Sequence, residues 1–323
     1  MIGRGLVSSC AVLACVLAAA PAAHAQEFPA KTVRIIVPFP PGGGTDFVVR
    51  TIAARAFENS GYQVIIDNRA GAAGNLGTAV GAKAAPDGYT LTVAYMGTLA
   101  IAPWLYKDVG FRPLQDFSFI TQLVTVPLVA VSHPSLPAKT LKEVAALASE
   151  QPGQISVATA GDTSQMTGEL FQLMTKTKIT PVPYRGAGPA VSDLLGGHIP
   201  LGFLGLAATT EHIKSGKLRG LAVTQRTRLA SLPDVPSAVE AGYPEFEVSD
   251  WYGLAAPVGT PPDIIAKINA EFIRVLRLPE VKERLNKAGF ETAGSTPENF
   301  TGYVKSEYER WGRVVKQAGI EAK

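Results

Sequence analysis

The sequence predicts an α/β protein of two doubly wound lobes, joined by two crossing strands, with a ligand cleft between the lobes. Three observations carry that prediction. Short β-branched runs alternate with helix-length amphipathic segments from Thr32 onward, the pattern of a parallel sheet covered by helices. Glycine-rich loops follow the first two strands, at the edge where open α/β sheets bind ligands. Two long extended stretches, Phe119 to Ser132 and Phe246 to Ala256, bracket a middle segment that repeats the style.

The N-terminal segment stands apart from the fold. Arg4 precedes a nearly continuous apolar run from Leu6 to Ala20, and Ala23-His24-Ala25 supplies an Ala-x-Ala cleavage signal. Residues 1–25 therefore read as a signal peptide cleaved after Ala25, which sends the chain to the periplasm. The run of about fifteen residues falls short of the ~20 that span a bilayer. A lipid anchor on Cys15 is the alternative, and Leu13 fits its motif poorly. Cys10 and Cys15 are the two cysteines and both fall in the leader, so the exported chain has no disulfide, thiol nucleophile or thiolate metal site. Without Arg4 the 30 basic residues become 29 against 27 acidic ones. A near-neutral chain without a basic run excludes nucleic acid as a partner class.

In chain order, Thr32 to Val37 is the first strand and Asp46 to Asn59 the first helix. Gln63 to Asp67 is the second strand, and the loop Asn68 to Gly77 opens a helix running to Ala84. Pro86-Asp87-Gly88 is a turn before the third strand, Tyr89 to Ala94. Past the first crossing come helix Leu141 to Ser149, strand Ile155 to Ala158, loop Ala160 to Ser164 and a helix from Gln165 to Thr175. Helix Ala190 to Leu195, strand Ile199 to Leu204, helix Thr210 to Ser215 and strand Leu218 to Thr224 follow. The second crossing leads into three tail helices, Pro262 to Leu278, Glu280 to Ala288 and Glu298 to Gln317. The expected division is residues 26–125 with 250–323 as one lobe, and 126–249 as an inserted second lobe.

The chemistry concentrates at the first loop, Phe39-Pro40-Pro41-Gly42-Gly43-Gly44-Thr45-Asp46. Prolines stiffen the approach and bare glycines admit a ligand to the backbone. A helix N-terminus there presents unpaired N–H groups at the positive end of a dipole, which suits an anion. Thr45 and Asp46 double as cap and first-turn acid. Gly74 and Asn75 in the second loop, and Thr98 after the third strand, lie at the same edge. Thr163, Ser164, Arg185 and Gly186 occupy loops of the second lobe that face them. Trp251 and Tyr252, on the second crossing, either stack on a ligand or pack the hinge.

Other chemistries lack their parts. No lysine follows Gly44 as a phosphate-binding P-loop requires, and Phe47 stands where a dinucleotide fingerprint needs its third glycine. Outside the leader the histidines are His133, His198 and His212, in no metal-ligand spacing. There is no Gly-x-Ser-x-Gly elbow. The expectation is a protein with no cofactor, no metal and no catalysis of its own.

The chain resembles the solute receptors of the tripartite tricarboxylate transporter family, the Bug-type periplasmic receptors. The resemblance rests on Val37 to Asp46, Gly71 to Gly77, Pro86 to Leu91 and Gly168-Glu169-Leu170-Phe171. It continues through Val182 to Gly186, Pro189-Ala190 with Asp193 to Gly197, Gly216 to Arg219, Leu232 to Pro236, and Trp251-Tyr252-Gly253 with Pro257 to Pro261. It implies a type II periplasmic-binding-protein-like fold and a monomer that closes on a small carboxylate. It further implies that a membrane permease of one large and one small subunit receives the solute. A sensor feeding a signalling partner is the alternative within binding proteins, and a periplasmic enzyme on a carboxylated metabolite the more distant one. In the family, backbone amides of the first glycine loop hold a carboxylate. Three positions depart from its pattern: Gln165 replaces a histidine, while Pro200 and Leu204 replace acids. An apolar Leu204 with space at Gly205 suits a di- or tricarboxylate with a hydrophobic or aromatic body better than an amino acid.

Overall fold

A computed structural model describes residues 28–58, 61 and 63–323. The expected leader, its cleavage point and both cysteines lie outside the described residues. The chain opens β1 (Val33–Val37), α1 (Gly44–Ala53), β2 (Val64–Asn68), α2 (Asn75–Ala82), β3 (Thr90–Tyr95). β1 pairs in parallel with both β2 and β3. A π-helical turn, Gly97–Ile101, leads into α3 (Ala102–Leu105). That helical turn needs Gly97, because a Cβ there would stand 2.4 Å from the Tyr95 ring.

β4 (Phe117–Ser132) carries the chain into the middle segment. There α4 (Leu141–Glu150), β5 (Ser156–Thr159), α5 (Asp162–Thr175), β6 (Thr180–Pro183) and α6 (Ala187–Leu195) follow one another. Next come β7 (Leu201–Gly205), α7 (Leu206–Lys214) and β8 (Arg219–Val223), and β9 (Ser249–Pro257) returns. The chain closes with α8 (Pro262–Leu276), α9 (Pro279–Lys287), β10 (Glu291–Thr292) and α10 (Pro297–Gln317). Among the described residues a ten-stranded sheet runs β2-β1-β3-β9-β4-β7-β5-β6, with β8 and β10 also paired to β4.

β4 is the pivot of this topology. Its first part pairs with β9 as far as Pro127↔Ser249. From Leu128 its partner is β7, and from Val129 also β8. Pro127 lacks an N–H to give to a ladder, so it sits where the pairing changes partners. Two parallel strand sets, β2-β1-β3 and β7-β5-β6, are thereby linked through antiparallel β9 and β4. Helices cover both faces, and their apolar stripes explain why. Ile265, Ile268, Phe272 and Val275 of α8 recur at three- and four-residue spacing and are buried, as are Phe300, Val304, Trp311 and Val315 of α10.

The predicted α/β architecture is the observed one, and the differences lie at helix starts. α5, α6 and α7 begin at Asp162, Ala187 and Leu206, three to four residues before the predicted positions. Thr163 and Ser164 are thus first-turn helical residues rather than loop residues. α1 ends at Ala53, short of Asn59, and β10 is too brief to leave a pattern.

Candidate binding site

A cavity of about 370 Å³ lies between the two parallel strand sets. Its volume falls at the small end for ligand sites, which suits a few-carbon solute. The first turns of four helices line it: Gly44 of α1, Thr163 and Ser164 of α5, Ala187 of α6, Ala207 and Ala208 of α7. Each of these helices has a glycine at its N-cap, Gly43, Gly161, Gly186 and Gly205, and none receives a side-chain cap. Gly161 and Gly186 hold φ of 93° and 104°, a region that favours glycine. Side-chain caps are absent from α2, α8 and α9 too, but α4 and α10, whose N-termini lie off the cavity wall, have them. There Thr140 and Thr296 accept from the amides of Glu143 and Asn299 in the usual way. Four helices therefore bring first-turn amides, which have no intrahelical acceptor, to one cavity at the positive ends of their dipoles.

The first loop is braced from within by Asp46. Its Oδ2 accepts from the Gly42 amide and from Arg50 Nε, each at 2.9 Å, and its Oδ1 from Asn68 Nδ2 at 3.0 Å. Burial raises its pKa, but Arg50, the Gly42 amide and Asn68 outweigh burial and hold the carboxyl below the ordinary range. Asn68 also donates to the Phe39 carbonyl at 3.0 Å. The Gly42 amide is spent in this brace, so the loop offers a ligand its later amides, at Gly44 and beyond.

Strand residues complete the wall. β3 and β9 pair so that Tyr95 lies opposite Tyr252, and both reach the cavity with Asp250, two residues before Tyr252 on the same face of β9. Tyr95 Oη stands 3.4 Å from Thr163 Oγ1, joining the two sides. Burial pushes Asp250 up to about 7, against hydrogen bonds from the Trp251 amide, Tyr95 and Thr163, while the Glu307 charge adds to the rise. Burial followed by the Asp250 charge raises the Tyr95 and Tyr252 phenols as well. Val126, Leu128, Leu204 and Phe290 make the apolar part. Among the described residues no Arg, Lys or His lines the cavity and no cluster of potential metal ligands occurs.

Of the sequence-predicted residues, Gly44, Thr163, Ser164, Leu204 and Gly205 come together on this wall. Ser164 Oγ donates to the Phe203 carbonyl at 2.6 Å, so its proton docks α5 on β7. Thr45 is buried behind Gly44, in hydrogen-bond contact with Tyr252. Phe39, Gly74 and Thr98 form a layer behind Tyr95: Phe39 meets the Tyr95 ring edge-on at 5.0 Å, and Thr98 Oγ1 donates to the Tyr95 carbonyl. Gly74, at φ 98°, leaves no room for a Cβ between Thr98 and Phe39. Asn75 is buried in the next position, off the cavity wall. Pro41, Gly42 and Gly43 are exposed and off the wall, as are Arg185 and Gly186.

Trp251 departs most from its expected place. It is fully buried, edge-on to Phe300 and Tyr303, because strand alternation turns it away from the face that carries Asp250 and Tyr252. Tyr95, Asp250 and Phe290 are cavity residues the sequence reading missed. An acid directly before the apolar run Trp251 to Pro257 was the available signal, since burying a carboxyl costs free energy without a purpose.

Known proteins resemble this chain over most of its length. Residues 48–320 match the model of the tripartite tricarboxylate transporter family receptor. The Bordetella pertussis protein BugT is 38% identical over 302 residues, covering 93% of each chain. A solved R. palustris protein with adipate is 34% identical at a TM-score of 0.82, covering 92% of this chain and 100% of its own. MatC from Rhodopseudomonas palustris, with bound malate, is 35% identical at a TM-score of 0.79, covering 89% and 100%.

Proposed function

The chain belongs to the tripartite tricarboxylate transporter receptor family, and from that premise we propose that it captures a small di- or tricarboxylate in the cavity and delivers it to a membrane permease of one large and one small subunit. As a member of that family it is a periplasmic solute receptor and not an enzyme. One observation carries the choice of ligand: four helix N-termini without side-chain caps meet at a cavity that holds no basic side chain. Such amides suit carboxylates. Their positions on opposite strand sets suit a ligand with a carboxylate at each end. Relatives solved with adipate and with malate support the same choice.

The energetics are sufficient. A hydrogen bond to a charged group contributes about 1.5–3 kcal/mol, and micromolar affinity corresponds to about −8.2 kcal/mol. Several amides at two carboxylates reach that value after the costs of association. On this reading residues 26–125 with 250–323, and residues 126–249, close on each other about β4 and β9. Export with cleavage after Ala25 precedes binding. Native mass spectrometry of protein purified from its periplasm tests the reading. The expected result is a retained organic acid of unaltered mass with two or more carboxyl groups. A retained amine without a carboxyl group, or a ligand converted on incubation, would overturn it.

A further inference from the structure

Resting on the carboxylate reading above, we infer that Asp250 sets the charge state the site accepts: it carries a proton while the ligand is held and donates a hydrogen bond to the ligand, so that a proton enters with the anion. The geometry makes the case. Asp250 is the acid of the cavity wall, and no basic side chain lines the wall to balance it. A dicarboxylate beside an ionised Asp250 would place three negative charges in one small cavity. Helix N-termini supply partial charges only, each about half a unit.

Among the described residues no unpaired cation faces Asp250. From β3 it faces Tyr95, from its own strand Tyr252, and from α5 Thr163 with Asp162 beyond. From α10 it faces Glu307 and Tyr303. The nearby cation of α10, Arg310, is paired to Glu307 at 3.3 Å, and β4 contributes apolar Val126. The surroundings are acidic or neutral, and burial already moves the Asp250 carboxyl to about 7 before any ligand adds its charge. A neutral carboxyl in this place turns a repelling group into a donor. The same group would discriminate among ligands, favouring those that offer an acceptor at that end of the cavity.

If only the protonated form binds, apparent affinity follows the protonated fraction, so the dissociation constant rises about tenfold between pH 6 and pH 8. Isothermal titration of the leaderless protein with adipate, malate and a tricarboxylate, at pH 6, 7 and 8 in two buffers of different ionisation enthalpy, reads both quantities. The expected result is that tenfold loss, with uptake approaching one proton per ligand at pH 8. In Asp250→Asn the affinity should no longer vary over this range and the uptake should vanish. Uptake that persists in that variant would put the proton on the ligand and overturn the inference. So would pH-independent binding by the wild type, or tighter, pH-independent binding of aspartate or glutamate, which would make Asp250 the partner of an ammonium group. Should Asp250→Asn fail to fold by circular dichroism, Asp250→Ser takes its place in the same titrations, with the same outcomes for and against. Absence of binding by every acid at every pH would overturn the carboxylate reading itself, and this inference with it.

Discussion

Replacing Gly44 by valine perturbs the cavity at the point where α1 presents its first amide. A Cβ built there stands 3.0 Å from Phe290 Cζ and 3.8 Å from Tyr252 Oη. Valine thus places its methyl groups in the space beside the amides, and Phe290 has to yield by a few tenths of an ångström. The backbone itself does not resist, since Gly44 is not a positive-φ glycine, and valine differs from glycine in helix propensity by only about 0.3 kcal/mol. Blocking one charge-assisted hydrogen bond removes about 1.5–3 kcal/mol, a 10- to 150-fold rise in dissociation constant at about 1.4 kcal/mol per decade. Isothermal titration with the tightest-binding dicarboxylate reads the affinity, and thermal melting checks the fold. Gly44→Ala, with a single methyl, should fall between wild type and valine. Unchanged affinity in a folded Gly44→Val protein would refute the assignment of a carboxylate to α1.

Three further variants probe distinct parts of the account. Asp46→Ala strips the acceptor from the Gly42 amide, Arg50 and Asn68 and should destabilise the protein by about 1–3 kcal/mol in urea titration. Because the Asp46 carboxyl titrates below its ordinary value in the fold, that stabilisation is present above the unfolded pKa and lost as pH falls through the folded one, so variant and wild type should converge in acid. Asp250→Asn should act in the opposite sense. A carboxyl raised to about 7 from 3.8 costs the folded state stability as pH rises between those values, by up to about 4 kcal/mol. The variant should gain most in melting temperature at pH 8 and least near pH 4. Arg185→Ala, at an exposed position off the cavity wall, should change the dissociation constant less than threefold. A loss of a hundredfold would make Arg185 a direct ligand contact instead.

The fold was legible because β-branched runs and amphipathic stripes report sheet and helix directly, and Pro127 and the long apolar crossings are visible in the chain. Helix starts at the cavity were not. The usual Ser, Thr or Asp cap signal pointed past them, because Gly161, Gly186 and Gly205 occupy those caps. The property that hides these starts, an absent side-chain cap, is the one that leaves the amides for a ligand. Residues in the glycine loops could be found from local composition, which is why Gly44 was singled out. Tyr95 and Phe290 join the cavity only through strand register and the packing of a tail loop, which leave no local trace. Trp251 attracted notice through its size, yet a one-residue step along β9 separates the core face from the ligand face. Asp46 has a role that spacing alone suggested in part, as a first-turn acid; its grip on Asn68 across 22 residues needed the structure.

The central claim is that uncapped helix N-termini, rather than basic side chains, hold the carboxylates. A crystal structure with the tightest binder from a panel of di- and tricarboxylates tests it most directly. The account predicts one carboxylate within hydrogen-bond distance of the first-turn amides of α1, at Gly44 and Thr45, and another facing the first turns of α5, α6 or α7. A ligand whose carboxylates pair with Arg185 or another basic side chain, with the Gly44 amide left to solvent, would contradict it.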